Sequence, residues 1–209
     1  MNKKTSLIVK FMSSYILFYT TTLAKVSLII GSSLAFFSLA SIVAPLIGVF
    51  GGLGVLLGVG LIKASLSFVL GYGFLFSAIY FLPHLAAAFY FQQNSIFKLI
   101  VPIIAMAIFI IHPQGSFAYS LLWLIPIICY FAKTNIIAKS LGATFSAHVV
   151  GSVIWLFTNS MTSEIWLGII PVALMERTLF AAGIAIGYYA VKALKLAFVD
   201  KIMNFELKA

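Results

Sequence analysis

The chain has 209 residues, of which 63% are hydrophobic and only 8% charged, with a formal net charge of +9 and a mean hydropathy of +1.17. Soluble domains run at about 45–50% apolar and 25% charged residues, so a water-soluble fold is excluded. The 13 Lys and Arg are scattered between apolar runs and form no basic stripe with interleaved aromatics, which excludes nucleic acid as a partner.

The apolar residues fall in long runs, such as 26–50, 66–91, 99–111 and 117–131, and a run of roughly 18 or more reads as a membrane span. The expected fold is therefore all-α: a polytopic integral membrane helical bundle, a single membrane domain with about six transmembrane helices and the lipid bilayer as its first partner. The N-terminal stretch 1–25 places Lys3, Lys4 and Lys10 before apolar residues, as a signal peptide would, but no polar mature domain follows, so it reads as retained. Leu7, Ile8, Phe11, Tyr15 and Phe18 recur at helical spacings, with Lys10, Ser13, Ser14 and Thr20 to Thr22 elsewhere on the wheel. That pattern predicts an interfacial amphipathic helix.

A first span is predicted over 26–44, closed by Pro45. The segment 46–62 is apolar with six glycines and reads as a second span or a re-entrant piece. Further spans follow at 66–91, 97–111, 117–132, 142–158 and 167–192, and 193–209 forms a basic tail. Lys192, Lys195, Lys201 and Lys208 place the C-terminus in the cytoplasm, while the 159–165 connection has no Lys or Arg and belongs outside. Counting back, 142–158 runs outward, 117–132 inward, 97–111 outward and 66–91 inward. For the N-terminal lysines to be cytoplasmic too, 26–44 crosses and 46–62 stays on the outer side, leaving Lys63 as the one discordant charge. The location implied is a multi-pass protein of the cell inner (plasma) membrane with both termini cytoplasmic.

An ionisable group within a span costs about 2.5–3.5 kcal/mol on insertion scales, so each marks a candidate site. Glu176 and Arg177 are adjacent in the last span, and at 1.5 Å per residue they lie roughly 13 Å below its outer start. His148 lies roughly 15 Å below the outer end of the preceding span. His148, Ser152, Trp155 and Asn159 recur at spacings of four, three and four, which aligns a ring, a hydroxyl, an indole and an amide on one helical face. On the last span Glu176, Phe180, Gly183 and Gly187 share a side, where the glycines let a neighbouring helix approach. These six residues, His148, Ser152, Trp155, Asn159, Glu176 and Arg177, are the candidate substrate-binding set. The plainer alternative is that Glu176 pairs with Arg177 or His148 only to neutralise charge between helices.

His84 falls near the inner end of its span, which suits a structural role, and His112 in the HPQG turn faces solvent. Trp123, Trp155 and Trp166 stand where interface-belt residues would. With three histidines at different predicted depths and a lone Cys129, no metal centre or other cofactor is expected. Only four acids exist, and there is no HExxH, no GxSxG and no P-loop, so catalysis is not the expected role.

The small basic chain with about six spans, cytoplasmic termini and no nucleotide site resembles the substrate-binding S components of energy-coupling factor transporters. Ala40 and Ala44 give the small-xxx-small spacing that such components use against a transmembrane coupling subunit. The segment 46–62 stands where they carry a gating loop, while no vitamin-specific motif is matched. The resemblance implies capture of a vitamin-like or nucleobase-like small molecule from outside, and transport powered by separate ATPases. Two other roles fit the same residues: a non-catalytic membrane scaffold or assembly subunit, and a lipid-modifying enzyme with His148 and Glu176 as acid and base.

Overall fold

The computed structural model describes residues 3–28, 36–132 and 134–206. The chain opens with helix α1 (Lys3–Leu23). The hydroxyls of Thr20, Thr21 and Thr22 donate back to the carbonyls of Ile16, Leu17 and Phe18 at 2.9, 2.7 and 2.7 Å, so this threonine run is satisfied without water before the helix stops. Strands β1 (Lys25–Leu28) and β2 (Phe36–Ser38) then pair antiparallel. A helical span over 26–44 is therefore not what forms. Helix α2 (Ala40–Gly51) begins only at Ala40 and carries Pro45 inside it, not at its close. The error has a physical cause, because a continuous apolar run shows no period and cannot by itself distinguish strand from helix.

Gly52, at φ 102°, breaks the chain between α2 and α3 (Leu53–Val69). The Gly-rich segment 46–62 is thus the end of one helix and most of another. Gly71 and Gly73, both at positive φ, make the next turn. Helices α4 (Phe74–Ile79) and α5 (Leu82–Gln92) form a nearly continuous rod, so the predicted span 66–91 is two segments that fold back on each other, with Ser67 Oγ 3.1 Å from Ser77 Oγ. Then come α6 (Phe97–Ile111), α7 (Phe117–Ser120), a single 3-10 turn at Leu121–Trp123, α8 (Leu124–Phe131), α9 (Ile136–Thr158), α10 (Ser163–Gly168) and α11 (Ile170–Glu206). The expected tail from 193 onward is a continuation of α11 up to Glu206.

Among the described residues, three helical segments are long and apolar enough to cross a membrane: Phe74–Gln92, Ile136–Thr158 and Ile170–Lys195. The outer surface suits lipid. Large apolar side chains stand far out of the bundle, from Phe68 at 67% to Ile111 at 81% exposed, a pattern rare in soluble monomers.

Helix α9 is the hub. The rod α4–α5 lies antiparallel to it: Tyr80 hydrogen-bonds Thr158 at 3.0 Å, Pro83 packs beside Gly151, and Tyr90 lies against Gly142, where a Cβ would collide with its ring. Helix α11 also runs antiparallel to α9, joined by the Thr144 hydroxyl donating to the Arg177 carbonyl at 3.1 Å. Gly183 and Gly187 do admit a close neighbour, but it is α2: a Cβ at either would meet Ile42 or Leu46 at 2.6 Å. Ala40 and Ala44, expected to face a partner subunit, are 1% and 0% exposed and pack with Phe18 and Leu56 inside this chain.

Three lysines, Lys98, Lys139 and Lys195, lie at the Gly142 end of the bundle. Lys98 lies over the Tyr90 ring at 4.6 Å, Lys139 lines a small cleft with Lys98, and Lys195 lies over Phe50 at 4.5 Å. Trp123 and Trp166 are not interface residues; both are buried around Phe109 and Tyr119 in an aromatic core toward the Thr158 end. His112 is half-buried, edge-on to Phe157, and its Nδ1 accepts from the Gln114 backbone at 3.2 Å.

Candidate functional site: a polar cavity in the apolar bundle

The polar face predicted on 142–158 forms as expected, because α9 is one uninterrupted helix whose N-terminus is capped by Asn135 accepting from the backbone of Ile137 and Ala138. Its phase therefore holds from end to end. His148, Ser152, Trp155 and Asn159 all line one cavity of about 790 Å³, and Glu176 and Arg177 of α11 line it as well. All six candidate residues are thus brought together.

Glu176 and Arg177 are 8% and 2% exposed, and one guanidinium nitrogen lies 3.2 Å from the Glu176 carboxylate. The guanidinium also lies against two rings, Phe37 at 4.2 Å and Phe180 at 4.9 Å from their centroids. Pairing and ring contact together offset part of the cost of burying the charge, although Arg177 Nε has no hydrogen-bond partner among the described residues. Sequence adjacency makes this pair possible, but Phe37 comes from β2, so the hairpin between α1 and α2 supplies a wall of the cavity along with Ser38. No residue of 46–62 lines the cavity, so the segment expected to gate it does not.

His148 is not paired with Glu176. Its Nε2 lies 2.7 Å from the hydroxyl of Tyr119, which also reaches Ser152 Oγ at 3.2 Å. Tyr119 is fully buried and stacked on Phe109, so its hydroxyl is held in place for both partners. Trp155 stands edge-on to Tyr80 at 6.2 Å, and Asn159 Nδ2 donates to Thr158 Oγ1 at 2.9 Å.

Three of the other lining residues, Tyr119, Lys63 and His84, are the most consequential that the sequence does not single out. Tyr119 carries no signal beyond being one aromatic among many. Lys63 stands out in the sequence only as the charge that disagrees with the topology. His84 had been set near the inner end of a span starting at 66; because the chain turns at Gly71–Gly73, His84 lies mid-rod, lines the same cavity as His148 and sits between the rings of Phe18 and Phe81. Among the described residues no three His, Cys, Asp or Glu side chains cluster to hold a metal ion.

The fold and site define a class: a nearly all-helical, membrane-compatible bundle around a partly open, largely apolar and aromatic cavity with a few polar groups. Comparison of the chain with protein-family models, with curated proteins and with solved structures finds no match, so the geometry alone carries the functional argument.

Proposed function

We propose that this chain is the small-molecule-binding subunit of a membrane transporter, similar in plan to the S components of energy-coupling factor transporters, and that it works with a coupling subunit and ATPases supplied by other chains. The observation that carries the reading is the cavity itself. Its volume, about 790 Å³, falls in the range of about 300–1,000 Å³ typical of small-ligand sites, and its walls combine aromatic faces with a few convergent polar groups. A scaffold that used these residues only as locks between helices would gain nothing from an open volume of this size, since empty space forfeits packing contacts.

The membrane arrangement proposed with it has six crossing elements: α3, α4–α5, α6, the segment 117–131, α9 and the part of α11 up to Lys195. The helix α3 takes the outward crossing expected of 26–44. Helix α2, with 12 residues, is about 18 Å long and falls short of a bilayer's hydrocarbon core of roughly 30 Å. It descends beside α1 from the cavity to the lysine-rich end. The lysines at that end support placing it, and both termini, in the cytoplasm of a cell whose inner membrane holds the protein.

The test is thermal stabilisation of the detergent-purified chain by a panel of vitamins, nucleobases and aromatic acids, amides and amines. A binding ligand raises the melting temperature in proportion to RT ln(1 + [L]/Kd). If nothing in the panel does so, with or without added coupling module, the scaffold role replaces the transporter role.

A further inference from the structure

The charges in the cavity do not balance. Of its described lining residues only Lys63, Glu176 and Arg177 are formally charged. Glu176 and Arg177 neutralise each other at 3.2 Å. Lys63 is left over: it lies on the apolar helix α3, its ammonium stands 5.9 Å from the Phe81 ring centroid, and no carboxylate pairs with it among the described residues. Nor does the sequence hold a spare acid for it. The chain has four acids; besides Glu176, Glu164 is an exposed residue opening α10, and Asp200 and Glu206 lie at the far end of α11.

A lone ammonium beside an apolar, partly enclosed space is costly unless a counter-charge reaches it. The remaining walls specify the body of that counter-ion. Phe18, Phe37, Tyr80, Tyr119, Trp155 and Trp166 contribute ring surfaces, which favour a flat apolar molecule over a sugar or a polyamine.

We propose that the cavity takes an aromatic monocarboxylate: a flat apolar body packed among the rings, with a single carboxylate held by Lys63. The proposal rests on the reading of the cavity as a ligand site and adds the ligand's charge and shape.

Matched trios that share one ring system and differ only in charge provide the test: indole-3-acetate, indole-3-acetamide and tryptamine, and likewise 2-naphthoate, 2-naphthamide and 2-naphthylmethylamine. Calorimetry and thermal shift on the wild-type protein in detergent should show a carboxylate binding about tenfold or more tighter than its amide, and the amine weakest. In Lys63→Gln the acid should lose that advantage while the amide keeps its affinity. Equal binding of acid and amide in the wild type, tighter binding of an amine, or an acid preference that survives Lys63→Gln would each overturn the proposal and leave the cavity's role as a ligand site standing. If no carboxylate binds but a neutral or cationic compound of the wider panel does, the monocarboxylate alone is wrong; if nothing binds, both readings fall together. The wild-type acid-against-amide comparison decides the matter even where Lys63→Gln does not fold.

Discussion

The hydroxyl of Tyr119, on the short helix α7, lies 2.7 Å from His148 Nε2 and 3.2 Å from Ser152 Oγ, tying the polar face of α9 by hydrogen bonds to the aromatic core around Phe109. Tyr119→Phe keeps the ring and its stacking on Phe109 but removes the hydroxyl from both partners. A lost hydrogen bond that leaves buried polar groups unpaired costs about 1–3 kcal/mol, and within membrane bundles measured bonds fall toward the low end. The expected outcome is a lower melting temperature for the unliganded protein, with Tyr119→Ala much worse because it also removes the ring. An unchanged melting temperature in Tyr119→Phe would mean the tie carries no stability.

The Glu176–Arg177 pair gives a sharper contrast. Removing one member, as in Glu176→Ala, strands a guanidinium that is 2% exposed and should cost about 3–5 kcal/mol. Replacing both, as in Glu176→Leu with Arg177→Met, removes the uncompensated charge and should recover much of that loss in denaturation of the purified protein. A double variant as unstable as the single one would show that Arg177 is needed for its contacts with Phe37 and Phe180 and not merely balanced by Glu176.

Two glycines test the helix packing. A Cβ at Gly48 would meet the Cβ of Ala88 at 2.7 Å, and neither atom can swing away, so Gly48→Ala should force α2 off α5 and destabilise the bundle. At Gly54 nothing lies within 4 Å, so Gly54→Ala should be neutral or stabilise by up to about 1 kcal/mol through helix propensity alone. The order of the two melting temperatures is the readout, and the reverse order would contradict the α2–α5 interface.

How much of this was legible beforehand depended on whether a residue broke a pattern. The face of His148, Ser152, Trp155 and Asn159 was legible because polar groups at a 3.6-residue period stand out in an apolar run, and α9 is regular enough to keep that phase. Glu176 and Arg177 stood out as charges. Tyr119 did not, since a tyrosine in an aromatic-rich membrane sequence has no periodic or charge signature, and its partner His148 is 29 residues away. The depth of His84 was misjudged because two positive-φ glycines turn the chain inside what reads as a single hydrophobic run. The hairpin at 25–38 was invisible for the related reason that strand and helix are equally apolar there, and it is this hairpin that brings Phe37 to Arg177.

The orientation in the bilayer can be checked in a Cys129→Ser background, which removes the chain's single cysteine. Thr162 and Thr134 are both exposed, on opposite ends of α9. With both termini cytoplasmic, Thr162→Cys should react with an impermeant thiol reagent added to whole cells, and Thr134→Cys only after the membrane is opened. The opposite pattern would invert the protein, and equal labelling of both would remove α9 as a crossing helix.

Trp155→Ala and Asn159→Ala separate a ligand pocket from a lock between helices. Both residues line the cavity, yet neither is held as the deeper groups are: among the described residues Trp155 Nε1 has no hydrogen-bond partner, and the Asn159 amide donates to its neighbour Thr158. Truncating them should therefore cost the unliganded fold less than Tyr119→Phe or Glu176→Ala, although Trp155 also gives up its edge contact with Tyr80. If the cavity binds a ligand, their effect should appear instead in the ligand-dependent rise of melting temperature. A tenfold weaker Kd at saturating ligand lowers the stabilisation by about 1.4 kcal/mol, enough to read in a thermal scan. A scaffold predicts the converse, a lower melting temperature without ligand and no ligand-dependent rise in any variant. Trp155→Phe refines the test, because it restores ring area without the indole N–H: recovery of ligand stabilisation would assign Trp155 to stacking, and failure to recover would assign it to a hydrogen bond made only when the ligand is present.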